Sequence, residues 1–231
     1  IDRLSKREVK LVSNVNTATG PRITWEAVPT AKTYNVYRRA AGEKTWTYLK
    51  TLGETATTYV DTTAKSGIYY AYTVKCSDGK NVSLYNKKGL LTYYLAQPNI
   101  KSVAGVYSTG DAQIKWDAVS GAKGYYVYRK TGNSGWEKIA TVNATAYADK
   151  SVKSNTKYTY TVKSYKGKVA SECKKSSDFT GIILATPTPK VKNSVSGLKV
   201  SWKAINGAEK YKIYRASYNE GTKKWSSFQE I

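Results

Sequence analysis

The sequence predicts an all-β chain of antiparallel β-sandwiches in tandem. One pattern occurs three times: a tryptophan, a short turn ending in alanine, and the run Tyr-x-Val/Ile-Tyr-Arg. The three tryptophans, Trp25, Trp116 and Trp202, lie 91 and 86 residues apart, a spacing too long for a solenoid repeat and typical of a small independent sandwich domain. Thr, Tyr and Val fill the alternating segments and favour pleated, half-buried strands. We therefore predict one domain per repeat.

The elements of each repeat follow in a fixed order. An apolar residue two positions before the tryptophan, and the tyrosine run beyond the turn, both set a period of two, which predicts two antiparallel strands. The first strand of the chain is expected near residues 9–15. In the first unit a second tryptophan follows at 46, then two alternating segments at 57–61 and 70–74, and an apolar closing run at 90–95. In the second unit the same features lie at 136, at 145–149 and 158–162, and at 182–184. No segment has a helical pattern.

The repeats divide the chain into a leader and three units. These are a polar leader at 1–8, a first unit at 9–97, a second unit at 98–186 and a partial third unit at 187–231 with the first strands only. Both joints carry proline, at Pro98 and at Pro187 and Pro189. Proline fixes φ and lacks an amide donor, so it ends a strand and stiffens the connection, and neighbouring units are expected to lie nearly in line.

The third unit stops short of the others. Aligning Trp225 with Trp136 places Ile231 opposite Val142, which leaves about three of the seven sandwich strands without counterparts. We therefore expect that residue 231 is not the natural C-terminus and that a neighbouring copy or a lost segment completes the unit through its open sheet edges. Without that completion, four core residues would face solvent: Val200, Trp202, Tyr211 and Ile213.

These patterns resemble the fibronectin type III family, in particular its tandem copies in surface or secreted proteins of Gram-positive, Clostridia-like bacteria. Besides the tryptophans and the tyrosine runs, residues 152–162 are similar to the family's Leu-x-Pro-Gly-Thr-x-Tyr-x-x-x-Val, with 64–70 as the counterpart in the first unit. Both copies depart from it, with Ser66 and Ser154 in place of the proline. The resemblance implies fibronectin type III or immunoglobulin-like sandwiches, which serve as spacers, adhesins and receptor modules.

The chain is strongly basic, and its charge is spread evenly. The net charge of +22 divides into +1 for the leader and +7, +8 and +6 for the three units. An even coat favours non-specific attraction to polyanions over a shaped nucleic-acid site, and no nucleic-acid motif accompanies it. The candidate partners are therefore a cell-wall polyanion, a glycan or a surface protein, and nucleic acid is disfavoured. No run approaches the roughly 20 apolar residues of a membrane span.

Residue types needed for catalysis are scarce. The sequence has no histidine, which removes Ser-His-Asp and Cys-His constellations and histidine-containing zinc sites. It has no Cys-x-x-Cys, phosphate-binding loop or dinucleotide fingerprint. We predict no enzyme, no cofactor and no metal site. Cys76 and Cys173 occupy non-equivalent places in their units and are expected to be free thiols.

Two aspartates recur at the same place. Asp61 and Asp149 each end a Thr-x-Tyr-x-Asp segment, but neither has the neighbouring carboxylates that calcium requires. We interpret them as turn caps that accept backbone N–H bonds just after a strand.

The candidate binding residues are aromatic. If the first tyrosine and the valine of the run face the core, alternation sends the second tyrosine to the outer face, near the second tryptophan of the unit. A tyrosine and tryptophan rimmed by basic residues could stack on sugar rings or dock a partner. The alternative is that the tryptophan folds over the tyrosine to shield a sheet edge. The residues concerned are Tyr37 and Trp46, Tyr128 and Trp136, and Tyr214 and Trp225.

Two functions remain open. The first is a non-catalytic extracellular or cell-surface segment that acts as a rod-like spacer or adhesive stalk of a bacterial surface protein. The second is a binding module for carbohydrate or anionic cell-wall polymer, attached to an enzyme elsewhere in the parent chain.

Overall fold

The computed structural model describes residues 4–106, 110–173 and 179–231. In the first unit the strands are Leu11–Asn16 (β1), Pro21–Trp25 (β2), Thr33–Ala40 (β3), Thr47–Gly53 (β4), Thr58–Val60 (β5), Tyr69–Ser77 (β6) and Leu90–Tyr93 (β7). In the second they are Ile100–Val106 (β8), Asp111–Trp116 (β9), Gly124–Thr131 (β10), Glu137–Val142 (β11), Ala146–Asp149 (β12), Thr156–Lys166 (β13), Val169–Ala170 (β14) and Phe179–Ile183 (β15). Apart from a 3-10 turn at Leu4–Lys6, the described ranges contain no helix, hence none that could cross a membrane.

Each of these two units is an antiparallel β-sandwich. In the first, β1-β2-β5 form one sheet and β4-β3-β6-β7 the other. In the second, β8-β9-β12 form one sheet, and β10 lies between β11 and β13 in the other, with β14 and β15 both paired to β13. The two units therefore share one strand order, and the predicted all-β sandwich fold is confirmed.

Both cores are built from the residues that the repeat pattern indicates. In the first unit the apolar faces of β2, β3 and β6 meet, and Ile23, Tyr34, Val36, Tyr72 and Val74 are each 0% exposed. The second unit repeats this core with Ile114, Val127, Tyr160 and Val162, also at 0%. The alternation of period two thus places these side chains between the sheets, as predicted.

Tyrosine hydroxyls secure the turns around each core. The first tyrosine of the run accepts a bond from the backbone N–H that opens the preceding turn, from Val28 to Tyr34 at 2.7 Å and from Val119 to Tyr125 at 3.0 Å. A second bond closes the loop before the sixth strand, from Lys65 N to Tyr70 Oη at 2.9 Å. The second unit repeats this corner with the same length, from Lys153 to Tyr158.

The first and last strands of the first unit are joined by side chains. Asn14 and Asn16 on β1 donate their amide N–H groups to the carbonyls of Leu91 (2.7 Å) and Tyr93 (3.0 Å) on β7. The register of β8 puts Val103 and Gly105 at the matching positions of the second unit, where the side chain has no donor.

The end of the leader packs on the first unit. Leu4 and Val9 are 5% and 1% exposed and belong to the core, and Glu8 forms a parallel bridge with Leu84. The regular first strand begins at Leu11 and continues to Asn16, slightly later than the predicted 9–15.

The third unit consists of three small antiparallel pairs. They are Lys190–Ser194 (β16) with Gly197–Ser201 (β17), Tyr214–Arg215 (β18) with Gln229–Glu230 (β21), and Tyr218–Asn219 (β19) with Lys224–Trp225 (β20). Of the four residues expected to face solvent, Tyr211 is 36% exposed, whereas Val200, Trp202 and Ile213 are half-buried. Those three are thus partly exposed, and the Trp202 ring packs against that of Tyr211 with ring centres 5.2 Å apart.

Candidate functional site

The outer face of the first unit carries an aromatic cleft of about 330 Å³. Tyr37 and Trp46 both line it, together with Tyr85 and Lys75. The two predicted residues have different ring partners: Tyr37 meets Tyr48 edge-on at 5.8 Å, and Trp46 meets Tyr85 edge-on at 6.1 Å. Sequence reasoning missed Tyr85, because it lies in an irregular segment without alternation.

Cations cover the rings of this cleft. The Arg39 guanidinium lies 4.7 Å from the Trp46 ring centre, and Lys75 Nζ lies 4.7 Å from that of Tyr85 and 6.0 Å from that of Tyr37. Trp46 also packs on the backbone, since a methyl group at Gly89 would lie 2.7 Å from its Cη2 atom. These contacts favour the alternative in which the tryptophan shields the sheet.

One polar group in the cleft has no partner. Thr73 lies opposite Tyr37 on β6 and is 1% exposed, although its side chain points to the outer face. Its hydroxyl forms no hydrogen bond within the part of the chain that the structure describes. In the second unit the equivalent hydroxyl, that of Thr161, accepts a bond from the Gln97 amide at 3.1 Å. An unpaired buried hydroxyl is costly, which makes the first cleft the better candidate for a ligand.

The outer face of the second unit is arranged differently. Lys163 Nζ lies 5.7 Å from the Tyr128 ring centre, and Lys130 Nζ lies 4.7 Å from that of Trp136. Trp136 is 38% exposed, and it precedes β11 by one residue. The closest stack on this face joins Tyr126 and Tyr165, with ring centres 4.3 Å apart and planes 7° from parallel.

The third pair is the most exposed. Tyr214 and Trp225 are 50% and 69% exposed. Trp225 packs against Tyr218 at 5.1 Å, while the Tyr214 hydroxyl donates to Glu230 at 3.3 Å. The structure therefore brings a predicted tyrosine and tryptophan to one cleft in the first unit, and in the third unit each has another partner.

The recurring aspartates are buried, and each accepts several hydrogen bonds. Asp61 accepts four bonds: from Thr63 N (3.0 Å), Thr63 Oγ1 (2.7 Å), Arg38 Nη1 (2.7 Å) and Tyr72 Oη (2.8 Å). Burial alone would raise the pKa of the Asp61 carboxyl, but the bonds from Thr63, Tyr72 and Arg38 outweigh it and lower the pKa. The predicted turn cap is present, and an ion pair with β3 is added to it.

Asp149 in the second unit has the same hydrogen-bonding arrangement. Asp149 accepts from Ser151 N, Ser151 Oγ, Arg129 Nη1 and Tyr160 Oη at 2.7–3.0 Å. Burial again opposes ionisation, and the bonds led by those from Ser151 lower the pKa of the carboxyl. These carboxylates are saturated by protein donors, which suits a structural role.

Cysteines and acidic residues form no further site in the described ranges. Cys76 and Cys173 are not joined by a disulfide, and Cys76 is a buried core residue. Among the described residues, no three His, Cys, Asp or Glu side chains are grouped closely enough to hold a metal ion.

The same hydrogen bonds recur at the two junctions between units. Ser66 Oγ donates to the Ser120 carbonyl of the second unit at 3.0 Å and accepts from the linker N–H of Ala96 at 2.9 Å. Ser154 Oγ donates to the Asn206 carbonyl of the third unit at 3.0 Å and accepts from Ala185 N at 3.1 Å. These are the two serines that replace the proline of the family pattern.

Further contacts strengthen the first junction. The Tyr93 hydroxyl donates to the Gly121 carbonyl at 3.0 Å, and Lys166 Nζ lies 4.5 Å from the Tyr93 ring centre. Ser164 Oγ donates to the Ala96 carbonyl at 2.6 Å. Residues of both units thus hold the linker on either side.

Comparisons with known proteins give likenesses of structure only. No protein-family model matches the chain, and no curated protein matches it. Among solved structures, a two-domain fibronectin type III segment of chicken tenascin is 17% identical at a TM-score of 0.40, over 78% of this chain and 98% of that one. The FN1–FN3 domains of chicken CNTN1 are 16% identical at a TM-score of 0.35, over 78% of this chain and 66% of that one. The chain is an all-β protein whose first two units are antiparallel sandwiches in tandem.

Proposed function

We propose that this chain is a non-catalytic segment that acts as a rod-like spacer or adhesive stalk of a bacterial cell-surface protein. The observation that carries the proposal is the recurrence of the serine bonds at both junctions, because the same loop of each unit is thereby tied to the same turn of the next. Relative motion is the default between domains that share only a small interface. A chain that adds fixed contacts at every joint is suited to holding something at a distance.

The surface charge agrees with a place at the cell exterior. All three units carry a net positive charge of similar size. Such a coat attracts anionic wall polymers over a range set by ionic strength, about 8 to 10 Å in physiological salt. The stalk would therefore hold its ends apart through the contacts between its units, and it would attract anionic polymers through its positive surface charge.

Small-angle X-ray scattering tests the spacer. Units of roughly 30–40 Å each, placed in line, are expected to give a radius of gyration well above the roughly 17 Å of a compact domain of this length. High salt serves as the control, because it screens repulsion between the basic units and leaves a hydrogen-bonded rod extended. A value near that of a compact domain, or a collapse in salt, would contradict the proposal.

The cleft of the first unit favours a second candidate, a module that binds carbohydrate or anionic wall polymer for an enzyme elsewhere in the parent chain. Tyr37, Trp46 and Tyr85 line it with aromatic rings, and Lys75 supplies a cation over two of them. The Thr73 hydroxyl beside these rings is buried and has no partner among the described residues. This combination matches the alternating apolar and hydroxyl surface of a sugar ring.

Titration with neutral glycans and with wall polyanions separates the two candidates. The binding module is supported if binding resists salt and shifts the amide signals of Thr73 and Lys75. That binding must also be lost in Trp46→Ala and kept in Trp136→Ala. Trp136 is the matched control, since it also lies under a cation but outside this cleft. Binding abolished by salt in all three proteins indicates the charge coat, and absence of binding rules out the module for those ligands.

A further inference from the structure

All three units share one turn between their second and third strands. It spans 28–31, 119–122 and 205–208, and in each case the N–H of its fourth residue, an alanine, donates to the carbonyl of its first. These bonds are 2.9 Å from Ala31, 3.1 Å from Ala122 and 3.1 Å from Ala208. The N–H of the first residue donates to the hydroxyl of the first tyrosine of the run in every unit. The ends of the turn are therefore held alike.

The third position distinguishes the first unit from the other two. Gly121 and Gly207 have φ values of +79° and +84°, which with the closing bond define a type II turn. Thr30 occupies this position in the first unit and keeps a negative φ. Between a type I and a type II turn the central peptide turns over. The carbonyl of the second residue consequently points to opposite sides in the two kinds of turn.

That carbonyl is the acceptor at each junction. It belongs to Ser120 in the second unit and to Asn206 in the third, and Ser66 and Ser154 of the preceding units donate to it. The glycine serves the contact in two ways. It permits the positive φ that aims the carbonyl outward, and it leaves the space in which the preceding loop sits.

The close approach involves glycine on both sides of the first junction. A methyl group at Gly67 would lie 2.9 Å from the Ser120 carbonyl atoms, and one at Gly121 would overlap the Gly67 Cα and the Tyr93 hydroxyl. At the second junction a methyl group at Gly207 would overlap the Asn155 side chain. Gly67 and Asn155 both have positive φ, at +84° and +57°. The preceding loop thus presents one backbone shape to the turn at each junction.

We propose that the loop before the sixth strand (Ser66–Gly67 and Ser154–Asn155) is a docking surface for a glycine-containing type II turn of the following unit. A unit whose turn has a residue such as Thr30 at the third position is not accepted in this orientation. The inference deepens the proposed spacer function and rests on it: the turn type of a unit decides whether that unit docks on the unit before it. The partner that fits the surface is a sandwich unit with Gly-Ala at the third and fourth turn positions.

Residual dipolar couplings of the full chain test this rule. In the wild type, the first and second units are expected to fit one common alignment tensor, because the junction holds them together. Gly121→Thr installs the residue of the first unit, and Ser66→Ala removes the donor while leaving both cores intact. Either change is expected to abolish the common tensor while the amide spectrum within each unit persists.

Gly42→Thr is the matched control for backbone strain. Gly42 is also the third residue of a turn closed by a bond from residue four to residue one (Glu43 N to Ala40 O, 3.0 Å), with φ +90° and open space around it. This variant is expected to keep the common tensor. A common tensor retained in both Gly121→Thr and Ser66→Ala would overturn the docking rule and leave the spacer standing. Two independent tensors in the wild type would overturn both.

Discussion

Replacing Trp116 by alanine is expected to destabilise the second unit by about 3 to 5 kcal/mol, the range for emptying a large aromatic site in a core. The side chain is 3% exposed and meets Tyr125 edge-on at 5.5 Å. Its indole N–H has no partner within the described residues, so the loss arises from packing and apolar burial. Urea unfolding followed by the amide signals of Val127 and Val162 measures the change in this unit.

Trp136→Ala is the control, because it makes the same truncation in the same unit at a residue 38% exposed. We expect a cost of less than about 1 kcal/mol there, as for most surface substitutions. If Trp116→Ala were as stable as wild type, Trp116 would not be a core residue and the repeated tryptophan would need another explanation.

Asp61→Asn is expected to destabilise the first unit by about 2 to 4 kcal/mol, somewhat below the usual cost of breaking a fully buried ion pair. The carboxyl is buried, but the Arg38 side chain is 20% exposed, so water moderates the penalty of leaving it unpaired. Asp117→Asn provides the comparison, since its ion pair with Lys101 lies at the surface, where water screens it and it contributes little to stability.

The acid limb of the stability profile gives a second readout for the same residue. The folded-state pKa of Asp61 is lower than its unfolded value. Its contribution is therefore complete above the unfolded pKa of about 3.9 and is lost as pH falls through the folded pKa. Asp61→Asn should flatten the acid limb of the first unit below about pH 4, while Asp117→Asn leaves the Asp61 contribution in place. An unchanged acid limb in Asp61→Asn would show that the hydrogen bonds to Asp61 do not favour its ionised carboxylate.

The fold was largely predictable because the sequence pattern that indicates it, an alternation of apolar and polar residues, lies within short segments. Alternation of period two around Trp25 and Tyr34 identifies both faces of two strands, and the structure buries the residues so identified. The turn cap of Asp61 was likewise predictable, since its backbone partner is two residues away. The ion pair with Arg38 was not, because it joins groups 23 residues apart that only the packed sandwich brings together.

The junctions show the limit of such reasoning. The sequence marks Ser66 as a departure from the family pattern, but its acceptor lies 54 residues further on, in another unit. The aromatic cleft was half predictable: alternation assigned Tyr37 to the outer face, whereas Tyr85 comes from an irregular segment whose position depends on the whole sandwich. Contacts between irregular segments carry no periodic signal.

The asparagine bonds between β1 and β7 bear on how the array responds to pulling. Tension along the chain enters the first unit at its first strand and leaves at its last, and two side-chain amides join those strands directly. Pulling would slide β1 along β7, so both asparagine hydrogen bonds would be loaded at the same time. The second unit has Val103 and Gly105 at the matching positions and lacks this reinforcement. We therefore expect the second unit to unfold before the first when the chain is pulled, so that the chain lengthens in steps.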